Sequence, residues 1–349
     1  AQTESATEQS RIDEIIVTAT RRAESINDTA LSIAAISNEE IEHRNLSGMD
    51  DYLRTIPSVT YFDGGIGRNA ITIRGLTLNL ESEANLSGPS TGLYFGEVSL
   101  SGLSILGGNA DLRMVDLERV EVLRGPQGTL FGAGSLGGAV RNIPNAPNLN
   151  KFSGILKAGY SNTDAGDGNN TNYEGVVNIP LVEDVLGIRA VAYHHKDGAY
   201  IKNIAGTQLA NNGPIALLYS AADAVAAYGG AELYQDKDVG ETTYQGGRVA
   251  ALWSPTDALS VTLQYSSQDA EQEGLPYTQT NTGGYTQTTL QYGNDFSVLD
   301  GKGEGNKDEI DITNLLIEYD FGWATLLSSS AWVEDDSQIQ NEFSDSFGG

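Results

Sequence analysis

Cysteine is absent from the 349 residues. That excludes a disulfide framework, a thiolate zinc site and a thiol nucleophile. Cations are scarce: 20 Lys+Arg stand against 47 Asp+Glu, a formal charge of −27. A nucleic-acid binder needs a basic face, so that class is excluded too. No run of about 18 apolar residues exists to make a membrane helix. The nearest stretch, Pro214 to Tyr228, is broken by Ser220 and Asp223. A β-barrel remains open, because it spans with alternating strands of about ten residues. The chain opens Ala1-Gln2-Thr3-Glu4, a small residue and a polar stretch. This reads as a mature exported protein after signal removal, with an arbitrary start as the alternative.

What is present points to β structure. There are 41 glycines, 16 tyrosines and 8 phenylalanines, with 39% apolar residues. The apolar share is low for a large soluble core, yet the spread of aromatics is too high for disorder.

Two halves follow different patterns. Residues 1–150 read as mixed α and β. Ser37-Asn38-Glu39-Glu40 is a capping-box signature for a helix to about Asn45. Ser47-Gly48-Met49-Asp50 offers a second N-cap, and that helix must end before Pro57. Short strands are expected at Val59–Tyr61, Ile71–Arg74, Leu93–Leu100 and Arg119–Leu123, with a helical turn at Asp111–Leu117. Six glycines between Gly125 and Gly138 mark a loop. From Lys151 the period becomes two: Leu259, Val261, Leu263 and Tyr265 alternate with Ser260, Thr262, Gln264 and Ser266. Seven such strands are joined alternately by short turns (Val182–Val185, Ser254–Ala258, Gly322) and long polar connections (Asn162–Asn172, Lys196–Thr243, Ser267–Glu309). That segregation is the layout of an outer-membrane barrel; a soluble sandwich is the alternative.

Four motifs carry a resemblance. Asp13-Glu14-Ile15-Ile16-Val17-Thr18-Ala19 is a short apolar strand near the start. Leu53-Arg54-Thr55-Ile56-Pro57-Ser58-Val59 and Ile71-Thr72-Ile73-Arg74-Gly75 follow. The strongest is Leu117-Glu118-Arg119-Val120-Glu121-Val122-Leu123-Arg124-Gly125-Pro126, continuing through Thr129-Leu130-Phe131-Gly132 to Gly137-Gly138. In this order, over residues 12–145, they resemble the TonB-dependent outer-membrane receptors. Two departures are Ser58, where the family keeps Gly, and Arg141-Asn142-Ile143-Pro144 at the plug exit. The family's barrel has 22 strands against about seven here, so the sequence reads as the N-terminal part of a receptor.

The resemblance implies an α+β plug domain followed by antiparallel transmembrane β-barrel strands. Its expected divisions are residues 1–20, a periplasmic segment with the TonB box; 21–150, the plug; and 151–349, the first strands and loops. It implies active transport of a scarce ligand, foremost a ferric siderophore or other iron chelate, across the bacterial outer membrane. Cobalamin, an oligosaccharide or another small organic ligand stays open, as does a passive barrel or adhesin. TonB, with ExbB and ExbD, is the implied partner, and lipid and lipopolysaccharide the surroundings. Asp13, Glu14, Ile15, Ile16, Val17, Thr18 and Ala19 are the expected TonB-binding segment, pairing as an added strand through main-chain hydrogen bonds. Arg68, Asn69, Asn79, Glu81 and Leu103, on plug apices, are the expected ligand contacts. Arg74 and Arg124 on the plug are expected to pair with Glu174 and Glu318 on the barrel.

No metal or cofactor is expected. His194 and His195 are adjacent on a strand and face opposite ways. Asp164 to Asn170 lacks the spacing of a calcium loop. Gly132-Ala133-Gly134-Ser135-Leu136-Gly137 fits a dinucleotide fingerprint, but Pro144 and Pro147 forbid the helix that reading needs. No P-loop, zinc-protease motif or nucleophile elbow appears, so no enzyme is expected.

Overall fold

The structure, a computed structural model, describes residues 16–18, 24–76, 89–102, 109–163, 168–203, 238–274, 286–287 and 305–340. The first part begins with two short paired strands, β1 (Ile16–Val17) and β2 (Glu24–Ser25). After β3 (Ile33–Ser37) comes α1 (Asn38–Arg44), started by Ser37, whose Oγ accepts from the Glu40 amide at 3.3 Å. It ends where Asn45 turns left-handed at φ 52°. Helix α2 (Met49–Leu53) follows, with Gly48 as the cap. Its first turn is closed by Asp51, which accepts from the Ser47 and Gly48 amides at 2.8 and 3.1 Å.

A hairpin, β4 (Val59–Phe62) with β5 (Ala70–Ile73), leads to β6 (Thr91–Phe95) and β7 (Val98–Ser99), which turn at Gly96. The last strands are β8 (Leu117–Arg124) and β9 (Gly138–Pro144), separated by a single turn, α3 (Gly128–Phe131). They assemble as a five-stranded sheet in the order β3-β8-β9-β6-β7, with only β6 and β9 parallel. Tyr52, Leu53, Leu93, Val120, Val122 and Val140 are fully buried between this sheet and the helices. Gly138 is required where it stands: a Cβ there would lie 2.2 Å from the Leu123 carbonyl oxygen.

The helical turn expected at Asp111–Leu117 does not form. The segment has no regular secondary structure up to β8 because its backbone is engaged elsewhere. The Arg113 amide donates to Gln268 at 2.9 Å, the Asp111 carbonyl accepts from Gln268 at 2.7 Å, and the Met114 amide donates to the Ser47 carbonyl.

From residue 153 the chain forms one seven-stranded antiparallel wall. Its members are β10 (Ser153–Asn162), β11 (Asn169–Val182), β12 (Leu186–Asp197), β15 (Glu241–Thr256), β16 (Leu259–Glu273), β18 (Gly305–Asp320) and β19 (Thr325–Gln340), in chain order. Three short strands from the long connections, β13 (Ile201–Asn203), β14 (Asp238–Val239) and β17 (Thr286–Gln287), pair beside it.

The wall's two faces are inverted relative to a soluble sheet. On the outer face Leu156, Tyr160, Leu263 and Trp332 are 88%, 71%, 54% and 70% exposed. On the inner face Asn178, Arg248, Gln268, Gln272 and Asn306 are buried. Apolar out and polar in is the pattern of a strand wall bathed in lipid and lined inside. Trp253, Tyr319, Phe321 and Trp323 lie at or beside the short turns, as aromatic residues do at a membrane interface.

The first domain covers the inner face. Ile310 and Ile312 of β18 belong to the same apolar cluster as Tyr52, Leu53 and Val120, with Val333 of β19 at its edge. Elsewhere the contact is polar. The Ile66 amide donates to Gln272 at 3.1 Å, and Asn178 donates to the Asn148 and Lys151 carbonyls at 2.8 and 2.7 Å.

Candidate functional site

Two polar clusters tie the parts of the structure together. The first holds the N-terminal strand. Val17 is buried in β1, and the Thr18 amide donates to Glu121 Oε1 at 2.7 Å. Glu121 and Arg141 are cross-strand partners in β8 and β9, and they pair at 2.7 Å. Arg119 also binds Glu121, and Arg141 reaches Glu97 at 2.7 Å. Both arginines donate to the Thr18 hydroxyl, at 3.1 and 2.8 Å. Burial pushes the Arg141 guanidinium below its ordinary value, and Glu121 opposes that shift. A buried guanidinium needs this carboxylate, so the cluster anchors the chain where it leaves β1 at Thr18.

The second cluster holds the plug to the wall. Asp116 stands at φ 56°, a left-handed position that Asp tolerates. This aims its carboxylate at Arg189 of β12, bound at 2.7 and 2.5 Å, and Arg248 of β15, bound at 2.5 Å. Asn145 donates to it at 2.9 Å. Nearby, Arg113 pairs with Asp197 at 2.7 Å and lies 3.7 Å over the Tyr244 ring. At the rim, Lys157 of β10 bridges Glu42 of α1, at 2.6 Å, and Glu174, at 3.2 Å.

The expected plug–barrel pairs are corrected by these contacts. Glu174 binds Lys157 and His195, not a plug arginine. Arg124 donates to the Pro57 carbonyl at 3.3 Å, and Arg74 packs against Gly125. Glu318 is exposed near the end of β18, four strands along the sheet from β11. The main arginine–carboxylate link has the opposite polarity, with the carboxylate on the plug and the arginines on the wall.

Asn69 also departs from expectation. It is fully buried, and its backbone carbonyl and Oδ1 both accept from the Asn109 amide at 3.2 Å, so it ties two plug loops together. Arg68 sits beside it, its amide bound to the Gly65 carbonyl. Ile16 is half exposed in β1. Asp13, Glu14, Ile15, Ala19, Asn79, Glu81 and Leu103 lie outside the described residues, as do Ile215–Tyr228 and Asp164–Asp167. His194 and His195 face opposite sides of β12, and His195 is buried against Glu174 at 3.0 Å. Among the described residues no group of three or more His, Asp or Glu converges on a metal position.

A mixed plug packed on the polar inner face of an antiparallel wall, with an apolar outer face, defines the class: a plugged barrel of the outer membrane. Residues 25–139 match the family described as TonB-dependent Receptor Plug Domain.

Relatives agree. The ferripyoverdine receptor of Pseudomonas aeruginosa is 32% identical over 183 residues, covering 52% of this chain and 20% of the relative. An iron-regulated outer membrane virulence protein of Vibrio cholerae is 28% identical over 175 residues, covering 46% and 24%. The structure of the ferric yersiniabactin uptake receptor FyuA from Yersinia pestis aligns with TM-score 0.63 at 18% identity, over 89% of this chain and 42% of that one. The chain thus spans about a fifth to a quarter of the curated relatives' length.

Proposed function

We propose that the chain supplies the plug and first wall strands of an active importer that takes a scarce ligand, foremost a ferric siderophore, across the outer membrane. The observation that carries this reading is the pairing of two fastenings. The strand near the start is held by its pairing with β2 and by Thr18 on Glu121, Arg119 and Arg141, while the plug body is tied to the wall by Asp116. A passive pore has no use for a pullable end fastened separately from a stopper. The ferripyoverdine and yersiniabactin receptors among its relatives support an iron chelate as cargo. A vitamin B12 transporter, BtuB of Photobacterium profundum, at 28% identity, keeps cobalamin as the second reading.

In this reading residues 1–20 carry the TonB box, 21–150 the plug and 151–349 the wall. Asp13 through Ala19 pair with TonB as an added strand, and ExbB and ExbD drive the pull. About four to six backbone bonds, at roughly 0.5–1.5 kcal/mol each, hold such a strand without making it permanent. Arg68, Asn79, Glu81 and Leu103 face the ligand. No enzymatic step belongs to the cycle.

Proline at Ile16 removes one donor and blocks strand addition. The expected result for Ile16→Pro in the full-length receptor is normal ligand binding at the cell surface with loss of proton-motive-force-dependent uptake. Undiminished uptake would refute the assignment.

A further inference from the structure

Strands β12, β15 and β16 end at the long connections, and there a cleft of about 290 Å³ opens between plug and wall. It is strongly acidic. Asp50, Asp51, Asp63, Asp111 and Asp197 line it, against one cation, Arg113.

Most of these carboxylates already have a partner. Asp51 closes α2, Asp197 holds Arg113, Asp111 accepts from the Tyr244 hydroxyl at 2.6 Å, and Asp63 accepts from the Gly65 amide at 3.0 Å. Two groups do not. The Asp50 carboxylate and the Tyr61 hydroxyl make no hydrogen bond among the described residues, although Tyr61 is only 9% exposed. Burial first, then the charges of Asp111, Asp63 and Asp50, hold that hydroxyl well above its ordinary value. Burial and the neighbouring Asp51 and Asp63 likewise raise Asp50. The site is short of positive charge.

Its shape selects among cations. The carboxylates do not converge as metal ligands would. Three aromatic rings, Tyr61, Tyr200 and Tyr244, share the lining with them. Carboxylates with aromatic faces are the chemistry that recognises ammonium and guanidinium groups. The protein's own Arg113 already demonstrates it, stacked on Tyr244 and paired with Asp197.

We propose that this cleft receives a cationic arm, a primary ammonium or a guanidinium, carried by the ligand that the receptor takes up. The arm's charged head lies among Asp50, Asp63 and the Tyr61 hydroxyl, and its stem runs along the tyrosine rings. The inference rests on the uptake reading above and narrows its ligand to chelates bearing a free cation.

The test uses n-butylammonium as the probe, n-butanol as its uncharged control and magnesium chloride as competitor. Each is titrated into the detergent-solubilised full-length receptor and followed by saturation-transfer NMR. The expected result is saturable butylammonium binding, at least tenfold tighter than butanol and insensitive to equimolar magnesium. Asp50→Asn with Asp63→Asn weakens it about tenfold, two charge-assisted contacts being lost. Tyr61→Phe, which removes one oxygen and keeps the ring, weakens it about threefold. Equal binding of butanol, displacement by equimolar magnesium, or unchanged affinity in both variants would overturn the proposal. The titration needs no knowledge of the cargo, so failure of the uptake reading shows separately, as loss of proton-motive-force dependence in cells.

Discussion

Replacing Asp116 by Asn tests how the plug is kept in its seat. Asn tolerates the left-handed backbone that Asp116 adopts at φ 56°, and it preserves the shape of the side chain. The charge is lost, and one acceptor oxygen becomes an NH2 group that faces arginine donors. The side chains of Asp116 and Arg248 are 4% and 5% exposed, so water cannot take over. Arg189, at 12%, is scarcely better placed. Removing one partner of a buried pair leaves an uncompensated charge and costs about 3–5 kcal/mol. The ratio of seated to unseated plug should therefore fall by roughly 10²–10³ or more.

The assay is hydrogen exchange at the amides of residues 111–117 in the full-length receptor, alongside urea titration. Faster exchange confined to this segment and the facing β12 and β15 is the expected pattern. A triple variant, Asp116→Asn with Arg189→Met and Arg248→Met, should recover most of the protection, because Asn keeps the left-handed backbone and removing both guanidiniums leaves no uncompensated buried charge. A change below about 0.5 kcal/mol for Asp116→Asn, the scale of an ordinary surface substitution, would refute the reasoning.

Three further outcomes follow from the same contacts. Glu121→Gln leaves Arg119 and Arg141 without their shared carboxylate, so it should free the N-terminal strand and raise protease cleavage near Thr18 several-fold in the absence of ligand. Leu263→Arg places a charge on the outer face of β16; a cost of about 2–4 kcal/mol should appear as poor outer-membrane assembly, whereas Gln264→Arg, facing inward, should assemble normally. Acidification should weaken butylammonium binding. Asp50 and Asp111 are raised above the ordinary carboxylate value chiefly by burial, so as pH falls they take up protons before exposed carboxylates do, and the attraction fades; affinity that held steady down to pH 4 would contradict this.

Local signals in the sequence carried far, and long-range ones did not. Ser37 with Glu40 announces α1, and period two announces β16, because both depend on neighbours a few residues away. The alternation of Leu259 to Tyr265 also states which face meets lipid. The irregular run at Asp111–Asp116 was illegible because Gln268, some 155 residues later, takes its hydrogen bonds. The fastening at Asp116 was hidden for the same reason: Arg189 and Arg248 become neighbours only through the pairing of β12 with β15. Glu121 with Arg141 needed the β8–β9 register, which no spacing within one strand reveals. Parity put Glu174 on the inner face, but parity says nothing of depth, and at its depth Lys157 and His195 are nearer than any plug arginine.

The mismatch between an oily contact at β18 and a wet one along β12, β15 and β16 gives the stopper a preferred way to yield. Where Gln268 and Gln272 hold it through neutral hydrogen bonds, water can step in and re-form each bond. Where Ile310 and Ile312 hold it, parting strips apolar surface bare, and nothing in the solvent compensates. Under the pull proposed above, the first side would give way while the second still grips, so the stopper would tip like a door on β18 as its jamb, with the gap on the flank where the acidic cleft lies.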